Sequence, residues 1–371
     1  WFPMLPLHLD ADIRRAYKGG FTYLMKKYKN KHVAGGITLD VNSLYPWAMY
    51  YCLLPYGYPI YFEGEYQEDP NYPLYIVRLK CGFKLKKDHI PCLQLKNNRA
   101  FIETEYLESS NGEIVEMTLT NVDLQLLKDH YELFCVEYEC GWKFKGVVGM
   151  FKDYIDYWMH IKETTTGAMR QLAKLMLNSL YGKFATNPKA YKKKPVLDHD
   201  GIVQYVVIKE NNYEKYGEKK PEPRDPVYTA MGCFITAYAR EKTIRSAQSV
   251  YDRFIYADTD SLHLVGTEIP EGLEIHPTKL GAWKHEGTFC DSKYIRAKTY
   301  METMIEYKKD SLVNYGKLLN TTHDILRTAN GIQYKETKVT CAGMPDNVKE
   351  NVTYENFHSG STFDGKLMPK H

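Results

Sequence analysis

The sequence lacks the features that mark membrane, secreted and zinc-binding proteins. No apolar run approaches the roughly 18–20 residues that cross a bilayer, and the first residues, WFPMLPLHLD, do not form a signal peptide. The eight cysteines form no Cys-x-x-Cys pair, which indicates reduced thiols and no structural zinc. Internal repeats and low-complexity tracts are also missing. We therefore expect a protein of a cytosol-like compartment without a membrane partner.

An excess of charge is also missing, since the net charge is only +3 over 371 residues. This balance hides basic runs interleaved with tyrosine, namely KKYKNK at 26–31, KLKK at 84–87 and YKKK at 191–194. Clustered lysine with aromatic rings suits a nucleic acid, because lysine pairs with phosphates and rings stack on bases. Each run alone also fits a solvated surface. The 44% of hydrophobic residues suffices for a sizeable core in two or three subdomains.

Periodicity and turn residues predict an α+β protein. Residues 52–149 combine short strand-like pieces with one helical stretch, which predicts a compact α+β insertion. Helical spacing at 151–162 and at about 166–181, interrupted by Thr-Thr-Thr-Gly, predicts two antiparallel helices. Residues 189–226 contain two β-runs around Asp-Gly, which predicts a basic hairpin. A helix is expected from about 231 to 250.

Two carboxylates, Asp258 and Asp260, lie one residue apart in the β-forming stretch FIYADTDSLHL. The polar cluster between β-formers predicts the tip of a hairpin. Like charges so close repel each other, and a bound cation relieves the repulsion. A lone Asp-x-Asp also fits a solvated acidic turn, so a metal site needs a third acid. Asp40, near the end of the predicted strand ITLDV, is the best candidate, and three acids round one point would suit Mg²⁺.

The second predicted helix of the pair carries groups that complement such a site. Four polar side chains recur at helical spacing on one stripe: Arg170, Lys174, Asn178 and Tyr181. Three apolar side chains lie on another face, which we assign to packing: Leu172, Met176 and Leu180. A stripe facing the acids would bind a triphosphate, a sugar and a base in that order. Without the acids, an amphipathic surface helix would be the simpler interpretation.

Several motifs occur in an order that resembles the polymerase signatures of the family B DNA polymerases. They are DVNSLYP (40–46), KLMLNSLYGKF (174–184), YADTDS (256–261) and KTY (298–300). The resemblance is to the protein-primed branch, because YKGGF (17–21) is similar to its single-strand-binding motif and TAYAR (236–240) to its primer-contacting segment. It covers almost the whole chain.

The resemblance implies a right-hand polymerase fold with palm, fingers and thumb. The implied parts are the palm at 1–51, 183–188 and 223–341, the fingers at 150–182, two insertions at 52–149 and 189–222, and the thumb at 342–371. The first insertion would contact template and the terminal protein, a protein that primes synthesis through a side-chain hydroxyl. The second would support processivity and strand displacement. We expect that the proofreading domain, which family members carry before the palm, has no counterpart in this sequence and that the thumb is incomplete. We therefore expect no 3′–5′ exonuclease in this chain.

The resemblance also implies residue roles in a two-metal phosphoryl transfer. The catalytic acids are Asp40, Asp258 and Asp260, and the direct metal ligands are Asp40, Asp260 and the Val41 carbonyl. The implied nucleotide-binding residues, with Tyr45 excluding a 2′-hydroxyl, are Tyr45, Lys162, Arg170, Lys174, Asn178 and Tyr181. The implied DNA- and primer-binding residues are Tyr17, Gly19, Gly20, Ser43, Gly182, Lys183, Thr236, Arg240, Lys298 and Tyr300.

The expected activity is DNA-directed DNA synthesis with two Mg²⁺ ions, which Mn²⁺ replaces. The expected partners are DNA template and primer, dNTPs and a terminal protein. We expect the protein to be a monomer and to act in the host-cell cytoplasm if the chain is phage-encoded. Two alternatives stay open. A reverse transcriptase usually carries Tyr-x-Asp-Asp in its metal hairpin, and this chain carries Tyr-x-Asp-Thr-Asp. A non-catalytic DNA-binding relative would keep the fold, but the intact acids and cationic stripe argue against it.

Overall fold

The computed structural model describes most of the chain. The described residues are 1–95, 102, 104–187, 192–197, 203–208, 227–311, 314, 317–318 and 324–365, with the backbone alone at 192–197 and 203–208. Within these residues no helix combines the length and apolarity needed to cross a membrane. All eight cysteines are free thiols.

Helices and strands alternate irregularly along the chain. The first elements are α1 (Leu7–Arg14), β1 (Thr22–Leu24), a 3₁₀ turn (Lys26–Tyr28), β2 (His32–Val33), β3 (Gly36–Val41) and α2 (Leu44–Tyr51). The next are β4 (Leu54–Glu63), β5 (Leu74–Leu85), β6 (Val115–Thr120), α3 (Asn121–His130) and β7 (Tyr131–Val147). They are followed by α4 (Lys152–Thr164), α5 (Gly167–Phe184), β8 (Lys192–Leu197) and β9 (Val203–Ile208). The last are α6 (Thr229–Ser249), a 3₁₀ turn (Tyr251–Arg253), β10 (Phe254–Asp258), β11 (Ser261–Val265), β12 (Trp283–Arg296), β13 (Thr299–Lys308), β14 (Ile325–Thr328), β15 (Gly331–Cys341) and α7 (Asp346–Lys349).

Among the described residues, nine antiparallel strands form the central sheet. Their order is β1-β10-β11-β3-β12-β13-β15-β14, with β2 paired to β12. The middle strands are strongly apolar, and Ile37, Leu39, Leu262 and Leu264 are fully buried. The long helix α6 covers them, since it is buried along most of its length and contacts β10 and β11. The apolar strands and this helix therefore form one core that holds the strand ends in place.

The first predicted insertion folds as a second sheet with its own core. Its strands are ordered β4-β7-β5-β6, all antiparallel, and α3 packs against β5, β6 and β7. Leu79, Phe83 and Leu127 are at most 1% exposed inside it. Thr120 begins α3 as its N-cap, accepting the amide hydrogen of Asp123. This sheet stands beside the central one and contacts it through α3 and α6.

The predicted helix pair is confirmed as α4 and α5, and the Tyr154 hydroxyl on α4 donates to the Met176 carbonyl on α5 at 2.8 Å. The predicted packing face of α5 is wrong at Leu172, which is 41% exposed. The helix instead buries Ala173 and Leu177, because the small alanine side chain lets α5 approach its neighbours closely. Most of the second predicted insertion lies outside the described residues. Its described parts are β8 and β9, paired antiparallel as the hairpin prediction requires.

Candidate active site

The Asp-Thr-Asp motif forms the tip of a hairpin, as predicted. Strands β10 and β11 pair Asp258 with Ser261, so Thr259 and Asp260 are the two turn residues. Thr259 adopts a positive φ of 61°, which suits a tight hairpin turn. Its amide donates to the Phe21 carbonyl at 2.7 Å, which fixes the turn against the loop before β1. The tip therefore presents its acids in a defined position.

Asp40 lies beside this tip on the neighbouring strand. Strands β3 and β11 pair Asp40 with Ser261, and the Val41 amide donates to the Asp260 carbonyl at 2.7 Å. The sheet thus brings Asp40, Val41 and Asp260 together from segments far apart in sequence. On the other side of β3, strand β12 places Lys284 opposite Asp40 in the strand register. No local sequence pattern marks Lys284, because its strand pairing is long-range.

The electrostatics of the Asp40–Asp260 pair favour a bound cation. Burial, the nearby Asp260 and Glu286 raise the pKa of Asp40 to about 7. Burial also raises the pKa of Asp260, and Asp258 adds to that effect. Among the described residues, no lysine or arginine forms an ion pair with either carboxylate. Two half-buried acids without an ion-pair partner among the described residues are a suitable donor set for a hard divalent ion.

Asp258 has a different environment. Its carboxylate accepts from Lys298 Nζ at 2.8 and 3.0 Å, from the Thr22 hydroxyl at 3.1 Å and from the Tyr256 hydroxyl at 3.3 Å. Within the described part of the chain, no three His, Cys, Asp or Glu side chains meet closely enough to hold a metal ion. The expectation of three acids round one point is therefore wrong, because Lys298 already neutralises Asp258. The supporting role implied for Asp258 stays a prediction.

Asp40 and Asp258 should respond oppositely to neutralisation in metal-free protein. The folded-state pKa of Asp40 is raised, so its ionisation destabilises the fold. This destabilisation is absent at low pH and grows as pH rises from about 4 to 7. Asp40→Asn should raise the free energy of unfolding at pH 8 by on the order of 2 kcal/mol, discounted for partial exposure. Asp258→Asn should lower it, because Lys298 loses its partner. Urea unfolding in EDTA at pH 8 and pH 4.5 measures both, and a destabilised Asp40→Asn at pH 8 would contradict the assignment.

Three cations from α4 and α5 lie together, and one of them, Lys162, is close to the acid pair. Burial lowers the pKa of Lys162, and the positive charges of Lys174 and Arg170 lower it further, while Asp40 acts in the opposite direction. Arg170 and Lys174 therefore lie close enough to Lys162 to act on its charge, and Lys162 in turn lies within electrostatic range of Asp40. Lys162 Nζ donates to Ser43 Oγ at 2.8 Å, in the turn that follows Asp40. A concentration of positive charge opposite two acids suits a polyphosphate.

Two stacked tyrosines lie beside the acid pair and the cations of α4 and α5. The rings of Tyr45 on α2 and Tyr181 on α5 stack with centroids 3.9 Å apart and planes inclined by 22°. Burial raises the pKa of Tyr45, and Tyr181 and Asp260 contribute, so this side chain lies between α5 and the acid pair. Asn178 is exposed one turn before Tyr181 on the same helix. Three members of the predicted stripe on α5 thus reach neighbours of the acid pair: Arg170 and Lys174 act on Lys162, and Tyr181 stacks on Tyr45.

Two predicted primer contacts are contradicted by their burial. Thr236 is fully buried, and its hydroxyl donates to the Gly232 carbonyl at 2.9 Å. Arg240 is 3% exposed, and its guanidinium is bound to Asp123 and to backbone carbonyls. Neither side chain can reach a DNA strand in this structure. The pattern of TAYAR alone could not reveal this, because the partner Asp123 is 117 residues away.

The other predicted DNA contacts are placed at or near the surface. Gly182 and Lys183 are exposed at the carboxyl end of α5, and Gly19 is exposed in the loop before β1. Gly20 is packed tightly, since a Cβ there would lie 2.5 Å from Thr259 Oγ1. The half-buried side chains among these residues are Tyr17, Ser43 and Tyr300. Their contacts with DNA stay predictions.

Comparison with known proteins shows that the chain is similar to viral DNA polymerases. A family model described as DNA polymerase type B, organellar and viral, matches residues 1–275. The DNA polymerase of Bacillus phage PZA is 49% identical over 371 residues, covering 100% of this chain and 61% of that protein. The polymerase of Bacillus phage phi29 is 49% identical over 373 residues, covering 100% and 60%. That of Streptococcus phage Cp-1 is 34% identical, covering 100% and 60%.

The solved structures agree with the sequence comparison. The phi29 DNA polymerase complexed with primer-template DNA and incoming nucleotide matches with a TM-score of 0.82 at 48% identity, covering 96% of this chain and 59% of that one. Its complex with single-stranded DNA matches with a TM-score of 0.80 at 48% identity, covering 96% and 58%. The predicted α+β right-hand polymerase fold is thereby confirmed. This chain spans 60–61% of the length of its phage PZA and phi29 relatives. The chain belongs to the organellar and viral type B DNA polymerases.

Proposed function

We propose that this chain performs template-directed DNA synthesis, adding dNTPs to a primer 3′-hydroxyl by phosphoryl transfer. The observation that carries the proposal is the closeness of Asp40 and Asp260, whose pKa values are raised by burial, to Lys162, which in turn lies near Lys174 and Arg170. An acid pair binds cations, and the opposing cations bind phosphates. A space with both kinds of group suits a metal-bound triphosphate.

Two Mg²⁺ ions fit the acid pair better than a softer metal, because the donors are carboxylate and carbonyl oxygens. Asp40, Asp260 and the Val41 carbonyl would hold them, and Mn²⁺ would replace them. When bound, the ions would lower the pKa of the primer hydroxyl and stabilise charge on the triphosphate and on the leaving pyrophosphate. The raised pKa values of Asp40 and Asp260, which burial and neighbouring acids cause, support this assignment because a bound cation would relieve the repulsion.

The cationic groups bind and orient the nucleotide. Lys174 and Arg170 on α5 would pair with the phosphates, and Lys162 would exchange its bond with Ser43 Oγ for a phosphate oxygen. Tyr45 would lie under the sugar, and Asn178 with Tyr181 would contact the nascent base pair. Lys298, bound to Asp258, would hold that carboxylate in place and meet the primer end together with Tyr300.

The arrangement of the sheets supports the proposed subdomain boundaries. We assign 1–51, 183–188 and 223–341 to the palm, because the strands of the central sheet lie in the first and the last of these segments. The fingers are 150–182, which contain α4 and most of α5. The insertions are 52–149 and 189–222, and 342–371 begins the thumb. A terminal protein acting as primer at the first insertion is supported by the identity to phage polymerases.

Extension of a primed template tests the proposal. Purified chain should extend a labelled DNA primer on a DNA template with Mg²⁺ and dNTPs, and EDTA should stop the reaction. A parallel assay replaces the DNA template with RNA. Preference for the RNA template would favour a reverse transcriptase. Tight binding of primed DNA without extension in Mg²⁺ or Mn²⁺ would favour a non-catalytic DNA-binding protein.

A further inference from the structure

Arg240 is the centre of a buried network that links three segments of the chain. Its Nε and Nη2 donate to the Asp123 carboxylate at 2.7–3.1 Å, and Asp123 belongs to the first turn of α3 in the inserted sheet. Its Nη1 donates to the Lys18 and Gly19 carbonyls at 2.7 and 2.9 Å. Helix α6, the inserted sheet and the loop before β1 therefore meet at one guanidinium.

The network leaves the guanidinium no nitrogen for another ligand. All three of its nitrogens are bound, and the side chains of Arg240 and Asp123 are 4% and 8% exposed. Asp123 also accepts from the Thr120 hydroxyl at 2.9 Å. Burial opposes the charge of Asp123, but Arg240 and Lys18 hold its pKa below the ordinary value. A buried bidentate pair of this kind is rigid, because losing either partner leaves an unpaired buried charge.

The loop Tyr17–Gly20 depends on this pair for its shape. Two successive carbonyls, of Lys18 and Gly19, point at the same Nη1, which orients both peptide groups. Gly20 then passes so close to Thr259 of the acid tip that a Cβ would not fit. The chain continues to Phe21, whose carbonyl accepts the Thr259 amide. The guanidinium thus sets the distance between this loop and the acidic tip.

A groove opens on the other side of the same loop. It has a volume of about 820 Å³ and runs between the loop, the inserted sheet and the end of α5. Its lining includes Arg15, Tyr17, Lys18, Gln94 and Thr118. Arg15 is more than half exposed there, and it forms an ion pair with Glu116, an acid that also lines the groove. A groove with cationic, aromatic and amide groups is of the kind that takes a single nucleic-acid strand.

We propose that Asp123 and Arg240 are positioning residues, which shape the loop Tyr17–Gly20 for a nucleic-acid strand without touching that strand themselves. The proposal rests on the proposed function, because it assumes that DNA is the ligand. It assigns a role in DNA binding to a residue of the insertion, Asp123, that no motif marks. It also replaces the direct primer contact expected of Arg240.

The test separates positioning from contact through the salt dependence of binding. Affinity for a labelled single-stranded oligonucleotide is measured over a KCl series for Asp123→Asn, Arg240→Gln and the double variant. Each single variant should weaken binding about tenfold, because the loop is displaced. The slope of log affinity against log salt should stay equal to that of the parent, because no phosphate contact is lost. The double variant should bind no worse than either single variant.

A matched control is available on the same two helices. Arg245 on α6 pairs with Asp129 on α3 at 2.8 Å, but this pair is exposed and does not reach the loop. Asp129→Asn should bind the oligonucleotide within twofold of the parent. Thermal unfolding checks that each variant is folded, and Asp123→Glu, which keeps the charge, carries the test if Asp123→Asn does not fold. The Glu variant should show weaker binding at an unchanged slope.

Two results would overturn the proposal. One is a slope that falls by roughly 0.7 in Arg240→Gln, the value for one lost phosphate contact on a single strand. The other is an Asp123 variant that binds as tightly as the parent. Failure of the proposed function is distinguishable from these results. A parent chain that binds the oligonucleotide but never extends a primer would contradict the proposed function, and the binding measurements on the variants would still test the positioning role.

Discussion

Asp260→Asn should reduce nucleotide addition by about a thousandfold or more, since removing a ligand to a catalytic metal costs several kcal/mol of transition-state stabilisation. Asparagine keeps the shape of the side chain and removes the charge that a divalent ion needs. Binding of primed DNA should stay close to that of the parent. The fold should also be retained, because burial already raises the pKa of Asp260 and its charge does not stabilise the apo protein.

The matched control for this substitution is Asp252→Asn. Asp252 is an exposed acid in the 3₁₀ turn that leads into β10, so the variant loses the same charge a short distance along the chain. It should extend primers like the parent. Single-turnover incorporation in Mg²⁺, with enzyme in excess of primed template, measures the chemical step in both variants. Extension by Asp260→Asn within tenfold of the parent would refute the metal assignment.

The local part of the site was readable from the sequence because it is encoded in short segments. The acids of Asp-Thr-Asp lie between two β-forming runs, and Asp40 follows an apolar run, so a hairpin tip and a strand end were both predicted. The structure contains both, on neighbouring strands. The α5 stripe followed equally from a spacing of four residues, which any straight helix turns into one face.

The long-range part of the site was not readable, because pairings between distant residues leave no local pattern. Lys298 neutralises Asp258 across 40 residues, which removed the third acid from the expected cluster. The resemblance of TAYAR to a primer-contacting segment implied that Arg240 binds DNA, but α6 is buried along most of its length, so its arginine needed an internal partner. Leu172 illustrates a smaller error. Helix α5 packs through Ala173 and Leu177, and the alanine carries too weak a hydrophobic signal to mark the buried face.

Tyr45→Val should admit ribonucleotides. The ring of Tyr45 stacks on Tyr181 and lies near Asp260, between the helix that would bind the triphosphate and the acids that would bind the metals. A sugar in that space would meet the ring at its 2′ position, where a hydroxyl has no room. Valine removes the ring and leaves a space. The preference for dNTP over rNTP, expressed as a ratio of kcat/KM values, should fall by roughly a hundredfold.

Two neighbouring variants show whether the ring itself makes the selection. Tyr45→Phe keeps the ring and loses only the hydroxyl, so it should discriminate as strongly as the parent. Tyr181→Phe keeps the stacking partner, whose ring lies 3.9 Å from that of Tyr45, and it should also retain the preference. The kcat/KM values for one dNTP and its matching rNTP are measured on the same primed template. If Tyr45→Val discriminates against ribonucleotides as strongly as Tyr45→Phe, the ring is not needed for the discrimination. Another residue would then exclude the 2′-hydroxyl.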